Sequence, residues 1–113
     1  NCVFLDTSPI RIGRSVLIGP GVVLACAGHP IHPEQRCSSA LETSEPITIE
    51  DGVWIGANST VCGGVTISEG SVIGAGSVVT SDIPKGVIAA GVPCKVLREI
   101  TEADRIAPER IEF

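Results

Sequence analysis

Only two residues of the 113-residue chain carry an imidazole, His29 and His32, and both lie in one stretch, CAGHPIHPEQRC, from Cys26 to Cys37. Imidazole, titrating near neutrality, is suited to take a proton from a reacting group as a general base. His29 is the candidate base, with Pro30 stiffening the chain behind it. His-x-x-His also suggests a metal, but catalytic zinc takes three protein ligands. Two histidines on a proline-bounded loop fall short of that, so the expectation is no metal, with His32 a loop residue.

Other chemistry-bearing residues are sparse. Trp54 is the single tryptophan, and it is either the wall of a ligand site or a subunit contact. Basic residues number only 8, and Lys85, Lys95 and Arg98 gather near the C-terminal end. They are either an anion-binding group or solvated charges. With a net charge of −5, the chain has no electrostatic footprint for nucleic acid. The five cysteines (Cys2, Cys26, Cys37, Cys62, Cys94) form no C-x-x-C. They read as free thiols in a reducing, cytoplasmic compartment. No apolar run reaches the roughly 18 residues of a membrane helix.

The elements that position these residues repeat. From Ile47 the chain reads in sixes: ITIEDG VWIGAN STVCGG VTISEG SVIGAG SVVTSD. The third position holds Ile49, Ile55, Val61, Ile67, Ile73 and Val79; the sixth holds Gly52, Asn58, Gly64, Gly70, Gly76 and Asp82. Gly, Asn and Asp tolerate positive φ, so each block carries one tight turn. Between turns run short β-branched strands with one inward aliphatic each. Three strands and three turns close a triangular coil of 18 residues. Ile12, Ile18 and Leu24 continue the comb upstream. One step further back falls on Asp6, where either a carboxylate is buried or the register slips within DTSP. Trp54, one place before Ile55, points outward.

Leu24 and Ile49 are out of phase because about 19 residues are inserted between them. The insertion, 28–45, must bulge from the prism as a loop, and long loops on rigid scaffolds carry function. Coils are expected over about 1–27 and 46–82 of a single domain. After Asp82 the comb stops, with Pro84 and Pro93 breaking further coils. A capping tail follows over 83–113, with Val96, Leu97 and Ile100 on one face of a helix.

The comb, GHPIH, VWIGAN, GAGSVVTSDIP and AAGVPCKVLREI together resemble the maltose/galactoside O-acetyltransferase family, which includes the nodulation acetyltransferases. The resemblance covers nearly the whole chain. It implies an all-β fold, a left-handed parallel β-helix of hexapeptide repeats with an inserted active-site loop and a C-terminal capping helix. It implies acetyl transfer from acetyl-CoA to a sugar hydroxyl, with His29 as base and Glu42 supporting it. The backbone N–H of Ala57 would hold the oxyanion. Trp54, Ala57, Ala75, Thr80, Ser81, Lys95 and Arg98 would bind coenzyme A, and Asp6 and Thr7 would meet the acceptor. A family asparagine falls just before Asn1, so the chain is expected to lack an N-terminal segment. The resemblance also implies a cytoplasmic homotrimer with clefts between neighbouring prisms. Serine, an amino sugar or a xenobiotic as acceptor, and a non-catalytic structural β-helix, are the rival readings.

Overall fold

The computed structural model describes residues 1–38 and 41–108. In chain order the strands are β1 (Val3–Leu5), β2 (Ile10–Ile12), β3 (Leu17–Ile18) and β4 (Val23–Ala25). The insertion follows as β5 (Ala27–Gly28), helix α1 (Pro33–Ser38) and β6 (Thr43–Ser44). The main coils resume with β7 (Ile47–Ile49), β8 (Trp54–Ile55), β9 (Thr60–Cys62), β10 (Thr66–Ile67), β11 (Val72–Ile73) and β12 (Val78–Val79). The tail holds β13 (Val87–Ala90), β14 (Lys95–Glu99) and a 3-10 turn, Glu102–Asp104.

These strands form a left-handed parallel β-helix. Its first face is β1-β4-β9-β12, its second β2-β7-β10, and its third β3-β8-β11-β13-β14. Ile49 pairs with Ile67, Ile55 with Ile73 and Val61 with Val79, so each coil takes 18 residues. Leu24, Ile49, Ile55, Val61, Ile67, Ile73 and Val79 stack into a wholly buried core. The turn column behaves as its composition requires: Asn58 has φ 59° and Gly64 φ 85°. The insertion has the expected size. Ile12 pairs with Ile49, 37 residues on, which is one coil plus 19.

Three features differ from the sequence reading. Upstream, Phe4 rather than Asp6 pairs with Leu24, so the register slips by two residues and Asp6 is exposed. Burying an unpaired carboxylate is costly, and the slip avoids it. Downstream, the comb does not end at Asp82. Ile83 bridges Ile67, and Ala89 pairs with Ile73; both steps are 16 residues instead of 18. Pro84 sits at a corner, where no ladder hydrogen bond is needed from it. The capping helix is absent over Val96–Leu97: β14 returns antiparallel along β13 and closes the edge of the third face. The tail turns through a short 3-10 segment at Glu102–Asp104. A strand covers β13 better than a helix, because it satisfies that strand's open row of N–H and C=O groups.

Serines at the first position of the blocks, two residues before the inward aliphatics, are buried as well. Ser59, Ser71 and Ser77 are wholly buried. Ser77 Oγ donates to Gly74 O at 2.6 Å and accepts Gly91 N–H at 3.1 Å, and Ser71 Oγ accepts Val87 N–H at 3.2 Å. They fasten the shortened last coil to the regular one below.

Candidate active site

The insertion leaves the prism at the corner after the first face. Its stem is a two-residue antiparallel ribbon in which Ala27 pairs with Ser44 and Gly28 with Thr43. His29 follows Gly28 and Glu42 precedes Thr43, the last pair of the stem, and both are exposed. The resemblance implies that Glu42 supports the base. His32 has a different place. Its Nδ1 accepts the Glu34 N–H at 3.2 Å at the start of α1, while Arg36 Nη1 donates to Ile31 O at 2.9 Å. Among the described residues no three His, Cys, Asp or Glu side chains converge as a metal set.

Thr7 is tied to the same stem. Ser44 Oγ lies 2.6 Å from Thr7 Oγ1 and 2.6 Å from Ser8 Oγ. Cys26 N–H donates to Leu5 O at 3.0 Å, holding the turn that carries Asp6 and Thr7 against the root of the insertion. On the prism side of the stem lies an open cavity of 320 Å³ lined by residues including Gly28, Thr43, Glu45, Cys62 and Gly63.

A second group forms at the corner before the first face. Ala57 and Ala75 stand there one coil apart, joined by Gly76 N–H donating to Ala57 O at 2.8 Å. Ala57 N–H makes no hydrogen bond within the described residues and is free to donate. Gly19 keeps that approach open: a Cβ there would lie 2.7 Å from Ala57 N. Lys95 pairs with Ala90, whose methyl group sits against Gly74, so Lys95 crowns this corner. Beside it runs an outward row across the third face: Leu17, Trp54, Val72, Ile88 and Arg98. Trp54 is 52% exposed, as its place in the comb requires. Arg98 is engaged by Asp104, its two guanidinium nitrogens bonding the two carboxylate oxygens at 2.8 and 2.9 Å. The Arg98 hydrogen bonds, helped by Thr101 N–H, hold the Asp104 carboxyl down at about 2.

The candidate residues therefore fall into two groups on one chain. Trp54, Ala57, Ala75, Lys95 and Arg98 lie at or beside the corner before the first face. His29, Glu42, Asp6 and Thr7 lie at the corner after it, and Thr80 and Ser81, which follow β12, lie there too. A strand of the first face separates them, about 3.3 Å per residue over three residues. Sequence reasoning did not foresee the part taken by Ser8 and Ser44, which sit in non-repeating segments with no periodicity to place them.

A prism of stacked six-residue units with one inserted loop defines the class as hexapeptide-repeat proteins. Residues 46–81 match the family model described as the hexapeptide repeat of succinyl-transferase. Over nearly all of its length the chain is similar to galactoside and maltose O-acetyltransferases. It is 50% identical over 105 residues to the galactoside O-acetyltransferase of Escherichia coli (strain K12), covering 93% of this chain and 51% of the relative. A solved galactoside acetyltransferase in complex with coenzyme A superposes with TM-score 0.89 at 51% identity, covering 92% of this chain and 52% of that one. A maltose O-acetyltransferase from Clostridium difficile 630 superposes with TM-score 0.86 at 46% identity, covering 89% and 54%. The chain spans about half the length of the curated relatives it matches.

Proposed function

We propose that the protein is an acetyl-CoA-dependent O-acetyltransferase acting on a sugar hydroxyl by direct attack. His29 takes the acceptor's hydroxyl proton as the oxygen bonds to the acetyl carbonyl carbon. Ala57 N–H donates to the carbonyl oxygen as it gains charge. When the carbon–sulfur bond breaks, the imidazolium returns the proton to the leaving sulfur, and coenzyme A departs as the thiol. Glu42 stabilises the imidazolium between those steps. The observation that supports this reading is that His29 and Glu42 both adjoin the Gly28–Thr43 pair at the end of the insertion stem. The name of the coenzyme A-bound galactoside acetyltransferase supports the donor.

The coenzyme fits the corner before the first face. In this reading Ala57 and Ala75, each with a single methyl group as side chain, line a channel for the coenzyme beside Trp54, and Lys95 offers a cation at its upper end. Thr80 and Ser81 come from a different corner, so they join this channel from a second copy. The same holds for His29. A prism whose base and oxyanion donor stand at different corners completes its site only against a neighbour, and a homotrimer closes that arrangement with identical clefts. Reliance on acetyl-CoA suits a cytoplasmic enzyme.

The test is release of coenzyme A thiol from acetyl-CoA with a sugar panel. The proposal expects sugar-dependent release that falls to background in His29→Ala. A chain whose turnover equals that of His29→Ala for every sugar is a structural β-helix instead.

A further inference from the structure

We infer that the hydroxyls of Thr7, Ser8 and Ser44 form an acceptor subsite beside His29 that selects a neutral polyol through the hydroxyl next to the one acetylated. The inference rests on the acetyltransferase reading above and adds to it Ser8 and Ser44, two positions for which the resemblance implies no role.

Three observations carry it. First, Ser44 Oγ bridges Thr7 Oγ1 and Ser8 Oγ, at 2.6 Å each. Three hydroxyls carry three donor hydrogens, and two bonds among them use two. One hydrogen and several lone pairs remain for a ligand. Second, Thr7 and Ser44 are exposed and Ser8 is half-buried, so the free capacity faces solvent. Third, Ser44 pairs with Ala27, two residues before His29. Alternation along an extended ribbon puts positions 27 and 29 on the same side of the stem. That is the side on which Ser44 meets Thr7 and Ser8.

A ligand hydroxyl that both donates and accepts matches this set. A missing hydroxyl leaves the cluster's last donor unanswered. An ammonium brings no acceptor for that donor when fully protonated. The edge thus favours a vicinal diol over a deoxy or amino acceptor.

The experiment compares glucose and galactose with their monodeoxy and 2-amino analogues as acceptors, using the intact chain, Ser44→Ala, Ser8→Ala and Ser44→Thr. The expected result is a preference of the unmodified chain for the full polyol over one monodeoxy analogue. Ser44→Ala narrows that preference about tenfold or more through acceptor KM, consistent with loss of one hydrogen bond at about 1.4 kcal/mol per tenfold. The KM for acetyl-CoA stays unchanged, and Ser44→Thr restores the preference. Ser8→Ala shifts the preference in the same direction. An unchanged preference in Ser44→Ala and Ser8→Ala overturns the subsite and leaves the acetyltransferase reading standing. No transfer by the unmodified chain to any sugar removes that reading and the subsite with it.

Discussion

His29 and Glu42 flank the Gly28–Thr43 pair that ends the insertion stem, His29 following Gly28 and Glu42 preceding Thr43. A carboxylate so placed can fix the imidazole tautomer and stabilise its charged form. Glu42→Gln is expected to lower kcat by about 10- to 100-fold, the usual cost of losing an orienting partner. KM for both substrates stays near its original value. His29→Ala loses about 10²- to 10⁴-fold. The double variant falls no further than His29→Ala, since Glu42 acts through the ring. Steady-state kinetics of the three variants decide this, and an unaltered kcat in Glu42→Gln would assign the carboxylate to solvent.

Lys95 crowns the opposite corner, above Ala75, on the strand that pairs with β13. Lys95→Ala is expected to raise KM for acetyl-CoA by about 10- to 100-fold, the equivalent of one charge-assisted hydrogen bond of about 1.5–3 kcal/mol. Acceptor KM is untouched. Added salt reduces the difference between the two proteins, because the lysine is exposed and its charge is screened. A KM change confined to the acceptor would move the coenzyme away from this corner.

The two corners also predict complementation. His29→Ala disables one corner, and Ala75→Trp fills the channel at the other. Each variant alone is inactive. Co-refolded as a mixture, they recover activity well above either parent, because one cleft in a hybrid assembly draws both intact corners from different copies. Sedimentation of the mixture establishes that hybrids form. Hybrids with no recovered activity would place both corners in the same cleft of one chain.

Much of this was readable in the sequence where it repeats. The inward aliphatics from Ile12 to Val79 fixed three faces, and the phase break between Leu24 and Ile49 measured the insertion. Reading failed where the repeat did. Ile83 and Ala89 continue the core columns two residues early, so a strict count of six passes over them. KVLRE at 95–99 was read as helical from Val96, Leu97 and Ile100, yet the open edge of β13 demands a strand, and tertiary pairing overrides so short a pattern. The stem register joins residues 17 and 15 apart, and the Thr7–Ser44 contact joins residues 37 apart, with no shared period. Only the folded chain brings them together. His29 stands out as a candidate because imidazole is scarce in this chain; Ser44 does not, because serine is common and its contacts depend on neighbours.

Core and corner substitutions should differ in kind. Ile55 is fully buried in the middle of the third-face column, between Ile18 and Ile73. Ile55→Ala is expected to cost about 2–5 kcal/mol, since neighbouring coils are tied by backbone ladders and cannot collapse into the cavity. Ser77→Ala removes the acceptor of Gly91 N–H and the donor to Gly74 O. It costs about 1–3 kcal/mol through the stranded amide, and its effect concentrates in the last coil. Denaturant titration gives the totals. Hydrogen exchange separates them: Ser77→Ala deprotects amides near Gly91 and Val87 while β7–β9 keep their protection. Uniform deprotection would mean that the serine column serves the whole prism.

Asp104 provides a pH test of the tail. Its carboxyl is held at about 2, first by the Arg98 hydrogen bonds and then by the Thr101 N–H. The folded value lies below the unfolded one of about 3.9. The contribution is therefore complete above that unfolded value and disappears as pH falls through about 2. Asp104→Asn is expected to melt lower than the unmodified chain at pH 5, and the two curves should converge between roughly pH 4 and pH 2. The carboxyl carbon resonance of Asp104 titrates near 2 in the unmodified chain and moves up towards the ordinary carboxylate range in Arg98→Gln. The same pair bears on the coenzyme. Arg98 is forked onto Asp104, so a phosphate that recruits it must share or displace that carboxylate. Asp104→Asn should then lower KM for acetyl-CoA if Arg98 contacts phosphate. An unchanged KM, with the acid-range melting difference intact, assigns Arg98 to fastening the tail alone.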